Sequence, residues 1–301
     1  MLRSLPLLLL IARPASAARY DPDFDRAALR ASATACVAKI VDATGRPLTP
    51  EQTPAITAGV DEGVRQAALA AAAARSLDAV ARRRDTEMAA GIGAVDRALK
   101  ELSEPVAAER ARATKLAGEL AALEEKIEAL PDEARDKLRP AAAKAKQGLL
   151  SAGEKLRPAE DALKTMGERA LEMKEARRAG LRRLIELSSD ASSTTLRAES
   201  LPPAAAEVQE RLGALTAEPS TRTRALEKIE ILRGVARLLF GGADRACNRA
   251  DEYRRVSASF EDAAGVFEKA RPAAVSAAAG PFLDETQKTL AQIRESLKKH
   301  D

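Results

Sequence analysis

The amino-acid sequence predicts an all-α protein in which a long antiparallel coiled-coil hairpin projects from a helical body made by the N- and C-terminal segments. Three observations predict it: two unbroken apolar stripes, a slip in their phase at Leu130-Pro131-Asp132, and aromatic residues confined to the two ends of the chain. Each bears on a different level of the architecture.

The first stripe runs Met88, Ile92, Val95, Leu99, Leu102, Val106, Glu109, Ala113, Leu116, Leu120, Leu123, Ile127, Leu130. The second runs Leu138, Ala142, Ala145, Leu149, Ala152, Leu156, Ala159, Leu163, Met166, Ala170, Met173, Arg177, Gly180, Leu184, Leu187. Alternating steps of three and four return each residue to one side of a helix, so the stripes are seams between helices. In a chain that is 46% apolar, random placement would leave about half of these positions polar. Only Glu109 and Arg177 are charged.

Before the stripes, residues 1–17 have the layout of a secretory signal: Arg3, an apolar stretch from Leu5 to Ala12, and Ala15-Ser16-Ala17 as a cleavage site. The competing reading is a cytosolic chain with an apolar start. The apolar stretch is too short to span a bilayer, which takes about twenty residues. Residues 18–53 then supply an N-terminal helix of the body, from about Asp23 to Asp42, broken by Thr44-Gly45-Arg46-Pro47. Thr49-Pro50 is a helix-start signal, but Pro54 sets the start of the hairpin segment, 54–187. Pro105 predicts a kink, or a restart capped by Ser103, because a proline inside a helix removes a hydrogen bond.

The hairpin tip is expected near residues 130–132, where the phase slips. Short connections join antiparallel helical neighbours. A turn at Pro140, or pairing of both stripes between two chains, is the alternative. Serines and threonines from Ser188 to Thr195, followed by Pro202-Pro203, read as a linker over 188–203. Residues 204–301 complete the body: a short helix over 204–215, a stripe from Ile229 to Phe267, and a last helix split by Gly280-Pro281. Tyr20 and Phe24 lie at one end, and Phe240, Tyr253, Phe260, Phe267 and Phe282 at the other, so the end segments should supply the bulky core. One long bundle with clustered aromatics is the other reading.

Loss of residues 1–17 removes Arg3 and Arg13 and no acid, so the net charge falls from +4 to +2. That near-neutrality, with few aromatics, argues against a nucleic-acid partner. Cys36 and Cys247 form an even pair in a chain expected to meet an oxidising compartment, so one disulfide is expected, with two buried thiols as the alternative. His300 is the lone histidine, and no metal or cofactor is expected. Gly91-Ile92-Gly93 lacks the third glycine and preceding strand of a dinucleotide loop, and Ser296-Leu297-Lys298-Lys299 lacks the partner motifs of a penicillin-interacting enzyme.

The remaining constellation is basic. A tip near Pro131 sets Arg82, Arg83 and Arg84 level with Arg177, Arg178, Arg182 and Arg183, a belt that Asp78, Asp85, Glu87, Glu175 and Glu186 can neutralise. Ion pairing is the first reading. The sharper one is a site for an anionic envelope lipid or glycan, since arginine grips phosphate and carboxylate with two bonds. Glu109 falls level with Lys155, the expected register-setting pair. Together these features imply a non-enzymatic exported coiled-coil protein, periplasmic or extracellular, acting as a structural, spacer or adaptor protein through protein partners or as a homo-oligomer. A periplasmic holdase-type chaperone and the anion binder are the alternatives. On export the mature chain should begin at Ala18, and intact-mass measurement of protein recovered outside the cytoplasm checks this. Recovery of uncleaved chain in the cytoplasm alone would refute the signal.

Overall fold

A computed structural model describes residues 26–44, 53–213, 219–275 and 279–299, and all its regular elements among them are α-helices. They are α1 (Arg26–Thr44), α2 (Thr53–Glu128), α3 (Asp132–Gly213), α4 (Pro219–Val275) and α5 (Gly280–Leu297). The signal segment, Tyr20, Phe24, the Thr49-Pro50 start signal and His300 lie outside the described residues. Among those described, no helix is long and apolar enough to cross a membrane.

The long helices α2 and α3 pack against each other as an antiparallel hairpin. No stripe position from Met88 to Leu130 or from Leu138 to Leu187 is exposed. The chain reverses between Glu128 and Asp132. Leu130 N–H donates to the Ile127 carbonyl at 3.1 Å, and the Pro131 carbonyl accepts from Ala134 and Arg135 at 3.0 and 2.9 Å. Asp132 and Glu133 place acid in the first turn of α3, where exposed N–H groups favour it. Glu128 accepts from Arg139 at 3.4 Å and pairs with Arg135 at 3.8 Å, tying the two arms beside the turn.

Three local expectations change. Of the kink or restart expected at Pro105, the restart is absent: α2 runs on through the proline, and Ser103 Oγ donates to the Lys100 carbonyl at 3.1 Å instead of capping a new helix. The expected linker over 188–203 is helical, and α3 continues through it to Gly213, so residues 204–213 of the expected short helix belong to α3. The physical reason is phase: Leu187, Ala191, Thr194, Ala198, Leu201, Ala205, Val208 and Leu212 continue the alternating steps, and all are buried. Hydroxyls that suggested a loop are satisfied locally, Thr194 on the Asp190 carbonyl at 2.8 Å and Ser200 on the Arg197 carbonyl at 2.7 Å. The expected disulfide is not formed. Cys36 and Cys247 are buried thiols in different hydrophobic clusters.

Contacts divide the chain into two units, and both long helices contribute to each. The first takes the described residues up to Gly91 with Glu175–Ser259. There α1 lays Leu29, Ala33, Cys36 and Ile40 inward, and the early α2 row of Ile56, Val60, Gly63, Ala67, Ala70, Ala74 and Leu77 meets it and the other helices. A side-chain carbon at Gly63 would lie 3.0 Å from Ile40 Cδ1, and one at Gly242 of α4 would lie 2.7 Å from Thr194 Oγ1 of α3. Glycine is what permits both approaches.

The second unit takes Ile92–Lys174 and the chain from Phe260 onward. In it α5 packs Leu283, Leu290, Ile293 and Leu297 into the same cluster as Val106, Leu116, Leu120, Ala152 and Leu156 of the hairpin. Arg112 of α2 reaches Asp284 at 2.6 Å, and Lys144 of α3 reaches Glu285 at 3.0 Å, so α5 is flanked by both arms. Pro281 fits the first turn of α5, where a missing N–H costs nothing. The described aromatics therefore divide between the units, Phe240 and Tyr253 in the first and Phe260, Phe267 and Phe282 in the second.

Gly148 of α3 faces Thr286 of α5, and a Cβ added there would overlap Thr286 Oγ1. Gly148→Ala gains about 1 kcal/mol of helix propensity against about 1–3 kcal/mol for an overpacked contact. We expect Gly148→Ala to lower the melting temperature in the native background and to raise it when Thr286 is already alanine. An equal drop in both backgrounds would remove this contact from the account.

Candidate functional site: the arginine belt

Residues 78–85 of α2 lie beside residues 177–188 of α3, and the belt arginines that face across this seam are engaged there. Arg177 donates through Nε and Nη2 to the two carboxylate oxygens of Asp85 at 3.1 and 3.2 Å. This two-bond fork is the geometry that guanidinium and carboxylate favour. Arg82 donates to Asp78 at 2.9 Å and to Ser188 Oγ at 2.6 Å, and Ser188 in turn donates to Asp78. The charged interruption of the second seam is therefore a half-buried cross-helix pair.

Arg183 takes part in a ring that crosses to α4. It donates to Glu186 at 2.9 Å and lies 3.1 Å from Glu252, while Arg249 lies 3.1 Å from both Glu186 and Glu252. Two arginines and two glutamates alternate, and each carboxylate serves both cations. The hydrogen bond that Arg183 donates to Glu186, followed by the charges of Glu252 and Glu186, raises the Arg183 pKa above its ordinary value. Of the remaining belt members, Arg83, Arg178 and Arg182 are exposed and Arg84 is half-buried. Asp78, Asp85 and Glu186 act as belt acids, whereas Glu87 and Glu175 are exposed. Glu252 and Arg249 escaped sequence reasoning, since their place beside the belt depends on how α4 packs.

Under the belt sits Tyr253, fully buried, with its hydroxyl 3.9 Å from Met88 Sδ. Gly180 makes room for the ring: a Cβ there would stand 3.4 Å from Tyr253 Cε2. Burial, reinforced by the Asp85 charge and opposed by Arg84 and Arg177, pushes the phenol up to about 12. Burial likewise pushes the Cys36 thiol up to about 11. Both groups are held protonated at any physiological pH, the state of an inert packing residue and not of a nucleophile.

Glu109 does not take Lys155 as its partner. A Cβ at Gly280 would lie 3.4 Å from Glu109 Oε1, which places the carboxylate beside the first residue of α5. A negative charge is favoured at that helix end, although Glu109 Oε2 is buried there without a hydrogen-bond partner. The polar gap in the first seam is thus filled by a third helix. Among the described residues, no group of three His, Cys, Asp or Glu is placed to hold a metal ion.

Comparison with family models, with curated proteins and with solved structures finds no match for this chain. The belt's geometry accordingly stands on its own: it clamps α2, α3 and α4 by alternating charge.

The buried groups fix a pH dependence. Cys36 begins to ionise near pH 9 in the unfolded chain and near 11 in the folded one, and Tyr253 near 10 and 12. Between pH 9 and 12 the unfolded state binds fewer protons, so stability falls as pH rises. Melting temperatures measured from pH 8 to 11 should decline, and Tyr253→Phe should flatten the part above pH 10. A wild-type profile that stays level to pH 11 would contradict the burial of both groups.

Proposed function

We propose that this chain is a non-enzymatic exported coiled-coil protein that serves as a spacer or adaptor in the cell envelope, working through protein contacts. The observation that carries this reading is the hairpin section of the second unit. Its α3 arm, residues 132–174, rises about 65 Å at 1.5 Å per residue, and α5 packs along both arms. A third helix resists bending where a bare two-helix rod would flex. At the turn, Glu128, Asp132, Glu133, Asp136, Lys137 and Arg139 are exposed, a mixed-charge surface that can meet a protein partner through a polar rim.

The mechanism is geometric: a stiff arm holds a charged tip at a fixed distance, with no bond made or broken. Export rests on the signal-like residues 1–17. The anion-binding alternative is weakened by the carboxylates that engage Arg82, Arg177 and Arg183. Photo-crosslinkers placed at Asp132 and at Arg83 in living cells test the proposal. We expect Asp132 to capture one defined envelope protein that Arg83 does not. Capture of many unrelated unfolded chains from both positions would overturn the spacer reading in favour of a holdase.

A further inference from the structure

One stretch of α4 stands apart from the rest of the surface. Ten large apolar side chains are exposed among the described residues, and four of them, Leu226, Ile231, Leu238 and Phe240, fall within a short stretch of α4. The inward row of that stretch, Ile229, Leu232, Ala236, Leu239 and Ala243, is already buried in the first unit. On the opposite side runs Glu227, Ile231, Gly234, Leu238, Gly241, Arg245, again at alternating steps of four and three. Ile231 is 54% exposed and Leu238 56%, and a Cβ at Gly234 would meet nothing within 4 Å.

This row is self-complementary when reversed about position 236. Ile231 then faces Gly241 of the other copy, Leu238 faces Gly234, and Glu227 faces Arg245. Each large side chain meets a glycine, and each acid meets a base. In the parallel arrangement Glu227 would oppose Glu227, and the glycines would face each other across a gap. An exposed glycine inside a helix weakens it and packs nothing within one chain. Opposite a leucine it lets two helices approach to about 8 Å.

We propose that α4 is a homodimerisation surface on which two copies of this chain pair antiparallel, related by a two-fold axis at the level of Ala236. A two-fold interface uses the same patch twice, which is the pattern the row shows. Arg245 keeps its Nε on Asp190 at 3.0 Å and holds Nη1 over Gly241, so pairing draws that guanidinium off the glycine towards the incoming Glu227 and opens Gly241 to Ile231. The strip from Glu227 to Arg245 is about 27 Å long, short for interfaces that bury about 800 Å² per partner, so monomer and dimer exchange. The surface lies within the first unit and holds whether or not the spacer role does.

Sedimentation equilibrium of the full mature chain over a concentration series should show a reversible monomer–dimer transition. Replacing the two exposed anchors, Ile231→Lys with Leu238→Lys, should weaken it about 100-fold or more while leaving helicity and melting temperature unchanged. Gly234→Cys and Leu238→Cys proteins, mixed and oxidised, should crosslink 234 to 238. Leu238→Cys alone should crosslink poorly. A monomer at every concentration, a dimer indifferent to the two lysines, or crosslinking only between like positions would each overturn the proposal.

Discussion

Helices of 76 and 82 residues stay in contact only while their apolar positions recur at the pitch with which the helices wind around one another. A step of three or four out of turn rotates the stripe away from its partner. In α3 the phase holds from Leu138 to Leu212; in α2 it holds from Ile56 to Ala81 and again from Met88 to Ile127, with one slip where Arg84, Met88 and Ile92 follow at two successive steps of four, and no residue of these rows is exposed. Everything else is arranged around that seam. Its alanine-rich stretches let α1, α4 and α5 approach, and its polar positions mark where another group enters: Arg177 reaches Asp85, and Glu109 meets the first residue of α5.

Glycine is used in two ways on this scaffold. Gly63, Gly148, Gly180 and Gly242 each face an atom of a neighbouring helix closely enough that a Cβ would touch it. They set where α1, α5 and α4 seat, much as notches fix a joint. Gly234 faces open space, as do Gly93, Gly118, Gly153, Gly167 and Gly265, and it lies in a row of α4 where large and small residues alternate outward. The same physical device, a missing side chain opposite a large one, thus serves packing within the chain and the proposed contact between copies.

The seam, the all-α class and the antiparallel pairing of α2 with α3 were legible because periodicity reports directly on which side of a helix is buried. Ser188–Pro203 was misread because composition was weighed above phase: Ala191, Thr194, Ala198 and Leu201 kept the steps in plain sight, but small and hydroxyl residues make a faint stripe. Cysteine count suggested a bridge, but whether two sulfurs meet depends on how α1 and α4 pack, which no local pattern encodes. The same limit hid Glu252 and Arg249 from the belt, and it gave Glu109 the wrong partner, since a two-helix register has no place for α5. Sequence pattern therefore captured contacts along the hairpin better than contacts made by the helices laid against it.

The claim on which the account turns is that α2 and α3 pair within one molecule, as Arg110 and Glu160 do at 3.4 Å. Spin labels at the exposed positions Ala108 and Asp161, measured in protein diluted with an excess of unlabelled chain, test it directly. The account predicts a short separation, within about 20 Å for labelled helices in contact, that persists on dilution. A separation near the roughly 80 Å of a continuous helix, or a short one that vanishes on dilution, would contradict it.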